Sequence, residues 1–297
     1  AGAFAFSDIL PLASPRIIRQ APRWLLDPLG PLSVPPRYAL KITPWMLRFW
    51  RASRAARVAA STEAQTALMA LSTATLTPFL TRQKLAHMLQ KRGQLQVYEG
   101  EKEFRASLPG WDARKAAGIA FRHVKGDEIA EIQPGLDARF THASFTPDWC
   151  SITDPRDYTL ALADAFSAAG GKIIIAQAIR LTATGVETSA GPLTGRVVLP
   201  PNYARADAML KKAKRFLPGL NIEGGKQWMG FRPSLPDSLP ALGPLARQPN
   251  TICAFGHGHL GLTQSTGTAA IIADMLEGRP AQIDLAAFSP QRFTRAS

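Results

Sequence analysis

Gly256-His257-Gly258-His259-Leu260-Gly261-Leu262-Thr263 is the stretch of this chain whose residue types and spacing could do chemistry. Glycines and histidines alternate at its start. Such a loop can bring its backbone close to a flat ligand, because glycine has no Cβ and tolerates positive φ. Gly256, Gly258, Gly261, Leu262 and Thr263 would meet the ligand mainly through backbone groups. His257 and His259 could each donate to it or line an adjoining pocket. A packing role serves either histidine equally well.

Flanking elements must position this loop. Thr251-Ile252-Cys253-Ala254-Phe255 reads as a short buried strand. Thr263 or Ser265 can cap a following helix. Ile271, Ile272, Met275 and Leu276 give that helix an apolar face, and Gly278 with Pro280 stops it. A glycine loop that opens a helix offers free N–H groups and the positive end of the helix dipole to an anion. A tight strand-to-helix turn with no ligand is the alternative.

Composition sets the bounds. The chain has 297 residues, 46% hydrophobic and 19% charged, which is ordinary for one large globular domain or two smaller ones. Cys150 and Cys253 offer neither metal-ligand spacing nor a disulfide framework, and suit a reducing cytosol. His87, His123 and His142 lack the close spacing of a helical metal site, so no metal is expected. No apolar run reaches membrane-spanning length, and the first residues lack the basic start of a signal peptide. The chain begins at Ala1 rather than Met, which suggests processing or a fragment.

A formal net charge of +13 admits nucleic acid, an anionic membrane surface or acidic ligands as partners. The basic residues are scattered, with modest clusters at Arg48, Arg51, Arg54 and Arg57 and at Lys211, Lys212, Lys214 and Arg215. They read as solvated helix faces. No nucleic-acid signature accompanies them, so no nucleic-acid partner is expected. Peripheral contact with anionic lipid is the smaller alternative, giving a cytoplasmic protein or one peripheral on the inner membrane.

Taken in order, residues 1–36 are Pro-rich and read as an extended connector. Thr43-Pro44 predicts a helix start, with Thr43 as cap. Residues 55–92 predict helix broken near Pro78 and ended by Gly93. Residues 95–98, 118–124 and 138–146 alternate like strands, and 127–131 reads as a turn or two of helix. Asp154-Pro155 is a clean helix start. Gly170-Gly171 ends that helix, and Ile173-Ile174-Ile175 follows as a buried strand, half of a parallel βαβ unit.

The order of Gly230-Phe231-Arg232-Pro233-Ser234-Leu235-Pro236-Asp237, the glycine loop and Phe288-Ser289-Pro290-Gln291-Arg292-Phe293 resembles the C-terminal end of the FAD-dependent D-amino-acid oxidase/dehydrogenase (DAO) superfamily. The bacterial D-amino-acid dehydrogenase branch looks closest. The resemblance implies an α/β plus α+β fold: an FAD-binding Rossmann-like domain, incomplete here, with a mixed-sheet substrate-binding domain. The expected division is a connector over 1–36, substrate domain over 37–146 and 192–240, and flavin domain over 147–191 and 241–297. FAD is the implied cofactor. The implied partners are a small amino-acid substrate and an electron acceptor, quinone or oxygen, that the residues do not distinguish.

In this family a CH–NH group is oxidised to the imino acid, with hydride passing to flavin N5. Positioning and charge do most of the work, and no protein nucleophile is required. Arg232 is the expected carboxylate anchor, since a planar guanidinium takes a carboxylate in two parallel bonds. It follows an expected strand over 227–231; a structural pair with Asp237 is its alternative role. His259 is the second catalytic candidate. Gly256, His257, Gly258, Gly261, Leu262 and Thr263 are expected to hold flavin.

Two departures stand out. The family opens with a strand, Gly-x-Gly-x-x-Gly and a helix, then an acidic residue for the ribose; no such unit is expected anywhere in this chain. After Val186 a block of substrate-domain strands is missing, because Thr188-Ser189-Ala190-Gly191-Pro192 runs almost directly into Leu193-Thr194-Gly195. A fragment joined across gaps, an inactive remnant of the fold and a basic binding module without catalysis all remain open at this point.

Overall fold

The computed structural model describes residues 2–26, 34, 38–171, 173, 177–182, 185–189, 203–224 and 232–293. The strand expected over 227–231, most of the strand expected over 173–175 and the junction over 190–202 lie outside them.

A long helix organises the core. α3 (Ala55–Arg82) buries Ser61, Gln65, Leu68, Ser72, Leu76 and Leu80, spaced three or four apart and therefore on one stripe, with Met69 and Leu71 beside it. The helix runs unbroken through Pro78, contrary to the expected break. It then stops at Arg82, short of the expected Gly93. A 3-10 turn over Ala86–Met88 and the short strand β2 (Leu89–Gln90) fill the interval.

Two layers use the α3 stripe. On one side lies α8 (Ser265–Leu276), where Ile271 packs with Leu68, Leu71, Leu242 and Phe288. Each such side chain taken fully from water contributes roughly 1.5–3 kcal/mol. The helices approach closely at Gly267: a Cβ there would lie 2.4 Å from Ser72 Oγ. Thr266 Oγ1 also donates to the Ser72 carbonyl at 3.0 Å.

The N-terminal segment occupies the other side. β1 (Ala3–Phe4) pairs antiparallel with β6 (Cys150–Ile152), which also pairs with β2. Phe4 and Phe6 join Leu76, Leu80, Ile152 and Tyr158 in one core, with Leu262 at its edge. Ala5 and Ile9 join Met69 and Leu260 in another. Residues 4–9 are thus clamped between α3 and the glycine loop.

The connector expected over 1–36 is only partly extended, because α1 (Pro15–Leu26) is a helix with Pro15 at its first position. α2 (Ala39–Ala52) starts before the expected Thr43 cap. Pro44 lies inside it, and Thr43 Oγ1 donates back to the Ala39 carbonyl at 2.9 Å. No residue of α2 is fully buried, so no core periodicity marks its start.

A second body is built on β3 (Gln94–Tyr98), β4 (Arg122–Lys125) and β5 (His142–Thr146), ordered β3-β5-β4 and antiparallel throughout. α4 (Glu101–Ala116) and α5 (Asp127–Ile132) accompany it. α6 (Pro155–Ala168) starts as expected: the Asp154 carboxylate accepts from the Arg156 and Asp157 N–H groups, with Pro155 at the first position. β7 (Gln177–Thr182) and β8 (Gly185–Ser189) form a hairpin, and α7 spans Tyr203–Phe216. β9 (Ala241–Leu245) and β10 (Gln248–Phe255) form a second hairpin that delivers the chain to Gly256. Every strand pairing among the described residues is antiparallel.

Candidate functional site

β10 is the strand expected before the loop, but it is not buried: Phe255 is half exposed and Ala254 open. The backbone then turns through positive φ at Gly256 (85°) and Gly258 (56°). Contact adds to this: a Cβ on Gly256 would lie 2.6 Å from Leu235 Cδ1, and one on Gly258 2.9 Å from the Ser234 hydroxyl. The partner strand of the loop is therefore the segment just after Arg232. Ser234 bridges His257 antiparallel, and the Gly258 N–H donates to the Pro233 carbonyl at 2.9 Å.

Arg232 is thereby rooted one residue from the loop. It is exposed, and it has no hydrogen bond or ion pair among the described residues. Its alternative partner Asp237 is taken by Arg292, through Nε–Oδ2 at 2.7 Å and Nη2–Oδ1 at 3.2 Å.

The two histidines face opposite ways. His257 turns inward, with Nε2 3.0 Å from Thr268 Oγ1 on α8. Burial holds its imidazole below the ordinary range, so it is neutral near pH 7. His259 turns outward, and its Nε2 lies 3.1 Å from Asp8 Oδ2. Asp8 went unnoticed in the sequence because it stands 251 positions away; only the clamping of residues 4–9 brings it here.

Thr263 does not cap α8. Its buried hydroxyl accepts the Ala5 N–H at 3.0 Å and so ties the N-terminal strand to the loop. Ser265 does not cap it either; its hydroxyl donates to the Leu262 carbonyl at 2.8 Å. Gln264 holds the N-cap position without a side-chain cap. The N–H groups of Gly261, Leu262 and Thr263 meet no backbone acceptor among the described residues. They form a run of donors at the positive end of a helix, suited to an anionic or carbonyl edge. At the other end Gly278 (φ 70°) closes the helix as expected.

The Gly-x-Gly-x-x-Gly spacing, expected nowhere in the chain, does occur: Gly256, Gly258 and Gly261 satisfy it, between a strand and a helix. It does not make a dinucleotide unit. β10 has only antiparallel β9 beside it among the described residues, and the first two glycines are closed against Pro233–Leu235 rather than open to a pyrophosphate.

Leu10, Pro11, Gln65, Ser234, His257 and His259 line a recess of only about 10 Å³. Beyond Leu10 and Pro11 a cleft of about 870 Å³ opens between α1, β3 and α4. That volume would suit a small molecule. The run of N–H groups without a backbone acceptor among the described residues is at the loop, however, so the loop and not the larger cleft is the candidate site.

The chain is similar to known proteins in both sequence and fold. The family model described as FAD dependent oxidoreductase (DAO) matches residues 41–199 and 191–275. The two matches meet where the sequence reading places a missing block. A D-amino-acid oxidase of Bradyrhizobium diazoefficiens is 26% identical over 385 aligned positions, covering 99% of this chain and 88% of the relative. That alignment is longer than the 297-residue chain, so the relative carries internal residues that this chain lacks. A D-amino acid dehydrogenase of Paramagnetospirillum magneticum is 39% identical over 95 residues, 32% of this chain and 22% of the relative. Among solved structures, glycine oxidase from Geobacillus kaustophilus superposes with a TM-score of 0.65 at 18% identity, covering 75% of this chain and 81% of the other.

Proposed function

Because this chain belongs to the FAD-dependent oxidoreductase (DAO) family, we propose that it oxidises the CH–NH group of a D-amino acid, or a related amino acid, to the imino acid. FAD is the cofactor of the family and supplies the two-electron acceptor when bound. The flavin end of the group fits the residues present: Gly261, Leu262 and Thr263 offer N–H groups that meet no backbone acceptor among the described residues, at the start of α8. The dinucleotide end has no counterpart among the described residues, for the reasons given above.

The observation that carries the proposal is the Ser234–His257 bridge. It roots Arg232 beside the donor loop, while Arg292 removes the competing carboxylate of Asp237. In this reading Arg232 takes the substrate carboxylate in two parallel hydrogen bonds and sets its orientation. His259 stands on the substrate side, and His257 holds the loop to α8. The division into flavin and substrate parts set out from the sequence belongs to the same proposal.

A comparison of D-alanine with its amide, with FAD in excess, tests the carboxylate anchor. The acid should be oxidised and the amide should react far more slowly. Equal rates for both would remove Arg232 from the role assigned to it.

A further inference from the structure

We infer that Asp8 is a positioning residue for His259, fixing its ring so that Nδ1 accepts a proton from the substrate ammonium. This rests on the amino-acid-oxidising reading of the site and adds to it a partner from the far end of the chain.

The argument starts from hydrogen-bond roles. An ionised carboxylate only accepts, so the 3.1 Å contact between Asp8 Oδ2 and His259 Nε2 requires the proton to sit on Nε2. In the neutral form of the ring this leaves a bare lone pair at Nδ1, which has no partner among the described residues. Its donor is consumed by Asp8, so His259 serves as an acceptor and not as a donor to flavin.

Asp8 is itself held. Its N–H donates to the Ala5 carbonyl at 2.9 Å, closing a turn. Its carbonyl lies 3.4 Å from Gln65 Nε2. Arg114 donates through Nε to the Ser7 carbonyl at 2.8 Å, and its Nη2 stands 3.9 Å from Asp8 Oδ1. Among the described residues, the charged groups in contact with the imidazole or with its partner are therefore Asp8 and, behind it, Arg114; His257 is turned away onto Thr268. Each oxygen of Asp8 faces a cation or a donor, which aims the carboxylate and through it the ring.

The chemistry this permits is one proton transfer. An N–H bond of the substrate ammonium breaks, an Nδ1–H bond forms on His259, and the electron pair stays on the amine nitrogen. Asp8 stabilises the resulting imidazolium without taking the proton. The neutral amine is the form that can lose hydride from Cα, so this step precedes oxidation.

The test is a double-mutant cycle in the full chain with saturating FAD, using Asp8→Ala, His259→Ala and the pair. His259→Ala should lower kcat/KM for a D-amino acid about a hundredfold at neutral pH, and Asp8→Ala about tenfold. Asp8→Ala should cost nothing further in the His259→Ala background, and raising the pH should recover much of each loss, because the amine then arrives neutral. Asp8→Glu should restore part of the rate. A readout independent of turnover is ¹⁵N NMR of the histidine rings: His259 should hold its proton on Nε2 alone, and Asp8→Ala should show averaged tautomers. Wild-type kinetics in Asp8→Ala beside an impaired His259→Ala would overturn the inference and leave the site reading standing. So would an equal Asp8→Ala loss in both backgrounds. Wild-type kinetics in His259→Ala would remove the base itself.

Discussion

Arg292 closes on Asp237 with two hydrogen bonds, at 2.7 and 3.2 Å, and in doing so leaves Arg232 without a carboxylate partner among the described residues. Arg292 also donates to the Leu239 carbonyl at 2.8 Å, so the C-terminal segment is laced to the turn that follows Arg232. Arg232→Leu should therefore spare folding and strike substrate use. Losing a charge-assisted bidentate contact costs roughly 3 kcal/mol, about a hundredfold in kcat/KM. Steady-state kinetics beside a melting curve checks this. Wild-type kinetics in the variant would return Arg232 to the solvent.

Gly256→Ala should show the reverse pattern, a fall in stability that accompanies any fall in activity. The residue stands at φ 85°, and its new methyl would meet Leu235 Cδ1 at 2.6 Å. Strain of this kind costs on the order of 1–3 kcal/mol. Differential scanning calorimetry measures it. An unchanged Tm would mean that the loop and the Ser234 segment separate easily.

His257 gives the pH dependence a sign. Burial lowers its folded value below the unfolded one, which is about 6.5. Above that pH both states are neutral and the residue contributes no slope. Below it the unfolded chain takes up a proton that the folded chain resists, so stability falls as pH drops through this window. His257→Gln should flatten that slope in denaturant titrations between neutral and mildly acidic pH. An unaltered slope would show that His257 protonates freely in place.

Much of this was legible in the sequence where a local rule decides. Asp154-Pro155 and Gly278 mark helix ends because capping is settled within a turn. The strand, loop and helix around Gly256 were legible for the same reason. α4 escaped notice because Pro109 and Gly110 sit inside it and interrupt the helical pattern. Thr263 looks like a cap, yet its hydroxyl is claimed by Ala5, 258 positions away. Asp8 carries no local signal at all; its role beside His259 exists only once Phe4, Phe6 and Ile9 are buried against α3.

A polypeptide of these 297 residues should bind FAD weakly compared with a relative that holds a parallel βαβ dinucleotide unit. Missing two or three charge-assisted N–H contacts to the pyrophosphate costs on the order of 4–6 kcal/mol, three to four powers of ten in Kd. Quenching of flavin fluorescence on titration reads this directly. Tight stoichiometric binding would show that the loop before α8 suffices to hold the whole cofactor.

The most direct measurement is anaerobic mixing of the protein, loaded in excess FAD, with a series of D- and L-amino acids while the visible flavin absorption is followed. The account predicts bleaching by at least one D-amino acid, with the imino acid or its hydrolysed keto acid formed in step. No bleaching by any amino acid, in a preparation shown to carry flavin, would contradict it.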